Sequence, residues 1–103
     1  MISVVLRRKE GRITGFTVKG HGNSIACAAV SLMALNTANS IEALTDADFT
    51  CEYDPDGGFL MLDMTQADAK ADLLLEAMAL GLSSVKEKYS SEIDIDECVS
   101  GAI

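Results

Sequence analysis

The chain has 103 residues, 49% of them hydrophobic and one of them proline, and its formal net charge at pH 7 is −8. This length suits a single domain spanning residues 1–103, and the apolar fraction excludes a disordered chain. The apolar runs are shorter than the roughly 18–20 residues of a membrane-spanning helix. The N-terminal charges follow the apolar residues, which is the wrong order for a secretory signal, so we expect a cytoplasmic protein without membrane contact.

Charge is divided unevenly along the chain. Residues 1–20 contain five basic side chains and one acid, a balance of +4, whereas residues 21–103 contain three lysines and fifteen acids, a balance of −12. Because nucleic-acid binding relies on basic contacts to phosphate, the acidic part predicts no direct nucleic-acid binding. It would suit a basic partner, although the same acids are also typical of an ordinary solvated surface.

The first predicted elements are a hairpin and a helix. Alternating apolar residues from Ile2 to Leu6 predict a strand, and a turn at residues 9–12 leads to a second strand from about Ile13 to Lys19. Asn23 and Ser24 are candidate N-caps for a helix that ends near residue 43. Apolar residues cover so much of its circumference that we expect the first half of this helix to be largely buried.

A second hairpin and a second helix follow. Two more strands are predicted on either side of the turn signal Asp-Pro-Asp-Gly-Gly at residues 54–58. The first comes from the alternation over residues 49–53, and the second from the apolar residues 59–64. Thr65 is a candidate cap for the second helix. The predicted apolar stripe of that helix comprises Ala67, Ala71, Leu74, Met78, Leu82, Val85 and Tyr89.

A last strand is indicated by Ile93, Ile95 and Val99, so the order of elements is ββαββα(β). This order predicts an α+β domain with an antiparallel or mixed sheet of about four to five strands. We expect the two helices to pack on one face of the sheet, with the first helix central and more buried than the second.

One short segment carries a candidate catalytic pair. His21, the single histidine of the chain, lies between Gly20 and Gly22, and Cys27 follows after five intervening residues. A cysteine in the first turn of a helix faces unpaired backbone N–H groups and the positive end of the helix dipole, which favour a thiolate. A nearby imidazole can accept the thiol proton, so the pattern predicts a Cys–His dyad. A small buried cysteine beside a polar loop histidine would produce the same pattern.

Four residues could support this dyad. Gly20 and Gly22 leave room for an incoming peptide backbone, and Ser24 could cap the helix. Ser31 lies four residues after Cys27 and therefore on the same helix face. Its hydroxyl could donate a hydrogen bond near the sulfur, or instead to a carbonyl one turn back.

The cysteines do not form a recognisable metal or disulfide pattern. Cys27, Cys51 and Cys98 are widely spaced, and no C-x-x-C motif occurs. We therefore expect no disulfide framework and no metal. An alternative is a metal site that combines His21 and Cys27 with one of the other two cysteines.

The segment Gly20-His21-Gly22, followed by Ile-Ala-Cys-Ala-Ala-Val-Ser at residues 25–31, resembles the signature of the bacterial ribosomal-processing cysteine protease family, Prp. The likeness extends over most of the chain. It includes the basic N-terminal hairpin, residues 39–44, the Gly57-Gly58 turn and Leu80-Gly81-Leu82.

This resemblance implies a homodimeric α+β enzyme with His21 as base, Cys27 as nucleophile and no metal or organic cofactor. It also implies cleavage of a short N-terminal extension from a large-subunit ribosomal protein, whose basic tail would be the partner. Two features differ from the family pattern: the connection from His21 to Cys27 is short, and Ser24 stands where the family tends to have aspartate. They favour an alternative, a non-catalytic binding or ribosome-assembly protein with the same fold.

Overall fold

The computed structural model describes residues 1–20 and 25–100. Its elements follow the predicted order ββαββαβ, and the last strand is present. They are β1 (Ile2–Lys9), β2 (Arg12–Lys19), α1 (Ile25–Leu44), β3 (Asp48–Tyr53), β4 (Phe59–Gln66), α2 (Ala69–Lys88) and β5 (Ile93–Ser100). Neither helix in these two ranges combines the length and the apolar character that crossing a bilayer requires.

The five strands form one mixed sheet in the order β3-β4-β2-β1-β5. The neighbours β1–β2, β2–β4 and β3–β4 are antiparallel, whereas β5 lies parallel to β1. The predicted α+β class with a mixed sheet is therefore confirmed. Because β3 and β5 are the two edges, each pairs with a single strand of the described chain.

The core lies between one sheet face and the two helices. Alternate residues of β1 point into it, and β2, β4 and β5 add further apolar side chains. Among the fully buried side chains, the largest are Phe16, Ile13, Ile41, Leu62, Leu75, Leu82 and Ile93.

As predicted, α1 is the more buried helix, with six buried residues against four in α2. However, its first half is not buried all round, because Ile25 is 73% exposed and Leu32 is 69% exposed. The packed stripe consists of the smaller residues Ala26, Val30 and Ala34. The larger apolar side chains Ile25 and Leu32 project from its other faces.

The start of α2 differs from the prediction. Thr65 belongs to β4 and does not cap the helix; Asp68 is the N-cap, and its Oδ1 accepts a hydrogen bond from the N–H of Ala71 at 2.8 Å. The other carboxylate oxygen of Asp68 accepts from the N–H of Asp46 at 3.1 Å. One side chain thus caps α2 and holds the connection between α1 and β3, a long-range role that local sequence does not reveal.

Ion pairs neutralise the basic N-terminal hairpin. Arg8 contacts Glu76 of α2 at 2.8 Å and Glu97 of β5 at 3.0 Å, and Arg12 contacts Asp72 at 2.7 Å. The hydrogen bonds from Arg8 lower the pKa of Glu76. These cations therefore fasten the hairpin to the rest of the fold. Among residues 1–20 and 25–100, most of the other acids form no ion pair with a cation.

Gly15 is required by a close contact between strands. On β4 it faces Asp63, which accepts a hydrogen bond from Arg7 Nη2 at 3.0 Å. A Cβ atom at position 15 would lie 2.5 Å from Asp63 Oδ1 and 2.6 Å from the carbonyl oxygen of Leu62. The second contact involves backbone, so a side chain here must displace either the ion pair or the strand.

We expect Gly15→Ala to lower the free energy of unfolding by about 1–3 kcal/mol, as overpacking in a core does. Urea denaturation monitored by circular dichroism would measure the change. Gly81→Ala is the matched control, because a Cβ there would meet the mobile end of Met33, with Sδ at 3.1 Å, and alanine favours the helix by about 1 kcal/mol. Equal stability of Gly15→Ala and the wild type would contradict this interpretation.

Candidate active site

Cys27 is the third residue of α1 and lies in its first turn. Its side chain is half-buried and packs partly against the core. The first turn of α1 contains no acidic residue, so no carboxylate of that turn offsets the positive end of the helix dipole. This position supplies backbone N–H groups that are not used within the helix.

Gly20 joins the end of β2 to the turn between β3 and β4. Its N–H donates to the carbonyl oxygen of Gly58 at 3.0 Å, which ties β2 to the turn between β3 and β4. Its φ is +129°, and a Cβ would lie 2.5 Å from the carbonyl oxygen of Met1. Glycine is therefore needed for both the backbone conformation and the close approach of β1.

The turn at residues 54–58 is held by its own hydrogen bonds. The N–H of Gly57 donates to the carbonyl oxygen of Asp54 at 2.8 Å, and the N–H of Asp56 donates to Asp54 Oδ1 at 2.9 Å. Gly57 and Gly58 have φ values of +89° and +87°. The Asp-Pro-Asp-Gly-Gly motif thus specifies a defined turn facing α1.

An open groove of about 290 Å³ separates α1 from this turn. Cys27, Ser31 and Leu35 form one wall, spaced four residues apart on the same side of the helix. Tyr53 and Phe59 contribute to the other wall. Its lining is largely apolar, so the groove can accept apolar side chains of a peptide beside the Cys27 thiol.

The structure brings together three of the predicted site residues. Cys27, Ser31 and Gly20 all line the groove, and Ser31 lies one helical turn beyond Cys27. His21, Gly22 and Ser24 lie outside the described residues. Their assignment therefore continues to rest on the sequence pattern.

Sequence reasoning missed the opposite wall of the groove. Tyr53, Pro55 and Phe59 lie more than 20 residues after Cys27. The sequence predicts a hairpin for this segment and no role in the site. A useful signal was present: Tyr53 ends an alternating strand with a large aromatic residue immediately before the turn. It is 65% exposed, which is unusual for a core residue and compatible with a binding wall.

The other cysteines lie on the two sheet edges. Cys51 is on β3 and Cys98 on β5, and none of the three cysteines forms a disulfide. Although Cys51 is exposed overall, local burial of its thiol raises its pKa. Within residues 1–20 and 25–100, no three metal-binding side chains are grouped as a metal site requires.

Comparison with known proteins decides the family. The model of the family described as cysteine protease Prp matches residues 1–94. The chain belongs to the cysteine protease Prp family. The predicted class of enzyme, a cysteine protease, is thereby confirmed.

Prp-family relatives match the chain along most of its length. The ribosomal processing cysteine protease Prp of Staphylococcus aureus (strain Mu50 / ATCC 700699) is 29% identical over 94 residues, covering 84% of this chain and 89% of that protein. The Bacillus subtilis (strain 168) protein of the same name is 24% identical, covering 92% and 96%. A crystal structure of the essential S. aureus protease with a covalently linked product peptide superposes with a TM-score of 0.87 at 28% identity, covering 94% of this chain and 99% of that chain.

Proposed function

We propose that this protein is a ribosomal-processing endopeptidase that removes a short N-terminal extension from a bacterial large-subunit ribosomal protein. The observation that carries the proposal is the position of Cys27, in the first turn of α1 and on the wall of an apolar groove. The names of the S. aureus and B. subtilis relatives support the substrate class. A cytoplasmic location follows from that substrate.

In the proposed mechanism, Cys27 and His21 act as a dyad. His21 takes the thiol proton, and the sulfur attacks the peptide carbonyl carbon to form a tetrahedral intermediate. Backbone N–H groups at the start of α1 stabilise the negative oxygen. The C–N bond breaks as His21 returns the proton to the leaving amine, and water then hydrolyses the thioester to release the acid and restore the thiol. No metal or organic cofactor takes part in these steps.

The surface around the groove suits a basic peptide. Leu35, Tyr53 and Phe59 offer apolar contacts next to the thiol, and the carboxylates of Asp54 and Asp56 lie in the turn at its rim. A peptide with apolar residues at the cleavage site and basic residues further away would complement both parts. This complementarity supports a basic ribosomal-protein tail as the substrate.

Substitutions of the dyad test the proposal directly. Cys27→Ala should abolish cleavage of a peptide that spans the extension while leaving the fold intact, because alanine fits a site flanked by Ala26 and Ala28. His21→Ala should slow cleavage and alkylation of Cys27 together, by about 10²-fold or more, since general-base catalysis contributes that much. Mass spectrometry would follow both reactions, and Cys98→Ala on the far sheet edge is the control.

Two results would reject the dyad. Cleavage by Cys27→Ala at the wild-type rate would remove the nucleophile from the mechanism. An unchanged Cys27 alkylation rate in His21→Ala between about pH 5 and pH 9, a range that brackets an ordinary imidazole pKa, would remove the base. The second result would favour the non-catalytic binding protein with the same fold.

A homodimer is part of the same proposal. A domain of this size buries a limited share of its own surface, and the helices expose Leu32, Leu73 and Leu80 at 69–73%. Pairing two copies would remove apolar surface of this kind from water. Sedimentation at micromolar concentration should show a two-fold assembly, and a clean monomer would contradict it.

A further inference from the structure

The edge strand β3 borders two cavities, one of which is the groove beside Cys27. A second cavity of about 470 Å³ lies at the other end of β3, lined partly by Glu42, Asp48 and Cys51. Cys51 lines this cavity and Tyr53 lines the first, and the two residues are consecutive on one side of β3. Both cavities are lined by residues of α1 and β3, and we call the two together the cleft between α1 and β3.

One stripe of α1 contributes residues to both cavities. It starts at Cys27, passes through Ser31 and Leu35 and reaches Glu42. At about 1.5 Å per residue the stripe is about 22 Å long. An extended peptide rises about 3.3 Å per residue, so about six residues separate one end from the other.

The floor of the cleft ends in an unpaired strand edge. β3 lies at the end of the sheet order and pairs with β4 alone among the described strands. Its outer backbone groups can accept an added strand, a common way of binding extended peptides. Beyond Tyr53, where β3 ends, the added peptide would turn into the groove that Cys27 lines.

The charge of the cleft changes along its length. The Cys27 end is apolar, whereas the far end and the strand edge carry acids, and none of these acids forms an ion pair with a cation within the described residues. The acids of the far end and the edge are Glu42, Asp46, Asp48 and Glu52, and Asp54 and Asp56 lie in the turn at the rim of the Cys27 end. Edge-to-edge pairing of two β3 strands would bring two such sets together, so the charges disfavour a second copy and favour a basic occupant.

We propose that the cleft between α1 and β3 binds the basic part of an extended peptide substrate, whose backbone pairs with the outer edge of β3. This inference rests on the proposed function and specifies how the substrate is selected. The scissile bond lies at Cys27, and basic side chains about four to six residues away lie at Glu42, Asp46 and Asp48.

Binding to the full-length Cys27→Ala protein tests the proposal without cleavage. The probes are two labelled peptides with the same apolar residues at the cleavage site, one with two lysines about five residues away and one with glutamines there. The cleft variant combines Glu42→Gln, Asp46→Asn and Asp48→Asn. The matched control combines Glu87→Gln, Asp94→Asn and Asp96→Asn, which remove the same charge from exposed positions on α2 and β5.

We expect the cleft variant to bind the lysine peptide at least about 3-fold more weakly, because three exposed charge contacts are lost. Its affinity for the glutamine peptide and the affinity of the control variant for either peptide should change less than about twofold. Fluorescence anisotropy at low salt would measure all six affinities of the parent and the two variants.

Four results would each overturn the proposal. The cleft variant and the control variant could lose the same affinity, or the cleft variant could lose the same affinity for both peptides. The affinity of the cleft variant could be unchanged, or the lysine peptide could fail to bind. Cleavage by the wild-type protein separates this inference from the proposed function. If the wild type cleaves the lysine peptide but the cleft variant binds that peptide with normal affinity, only the inference about the acidic cleft fails and the proposed function stands. If the wild type cleaves neither this peptide nor the natural extension, the proposed function fails whatever the affinities.

Discussion

One wall of the groove is held in place by the hydrogen bond from the N–H of Gly20 to the carbonyl oxygen of Gly58. It fixes the β3–β4 turn against the end of β2, while the positive φ of Gly20 lets the chain pass close to the start of β1. Four residues then separate Gly20 from Ile25, so α1 must begin within about 18 Å of this point. Within that limit, the packing of α1 brings Cys27 and Gly58 to the lining of the same groove.

The packing of α1 directs the helix face with Cys27 towards the groove. Ala26, Val30 and Ala34 fill the contact with the core. Cys27 and Ser31 then lie beside that stripe, at the boundary between core and groove. A larger residue in the stripe would lift the helix and widen the groove, so core packing and site geometry depend on the same residues.

Much of the fold was predictable because its signals are local. Every element was identified from such signals. They are the alternation of apolar and polar residues in the strands, the turn residues at 54–58 and the helical spacing of apolar residues. The cap of α2 was missed because Thr65 and Asp68 are both good N-cap residues, and pairing of β4 through Gln66 decides between them. Burial in α1 was overestimated because composition does not show which apolar face meets the sheet.

The candidate site was predictable only in its first half. Gly20, Cys27 and Ser31 are close in sequence, and a helix start has known electrostatic consequences. Tyr53 and Phe59 reach the same groove through the sheet order β3-β4-β2, which sequence periodicity does not encode. The acidic side of the chain was visible in the composition, but its concentration along one cleft depends on the pairing of Arg8 and Arg12 elsewhere.

The central claim is that the thiol in the groove, and not another cysteine, reacts with a bound peptide. A peptidyl vinyl sulfone with apolar residues next to the electrophile tests this claim, with peptide mapping by mass spectrometry to locate the adduct. The account predicts rapid modification of Cys27 in the folded protein, little modification of Cys51 or Cys98, and loss of this selectivity after denaturation. Modification of Cys51 or Cys98 at the same rate as Cys27 in the folded protein would contradict it.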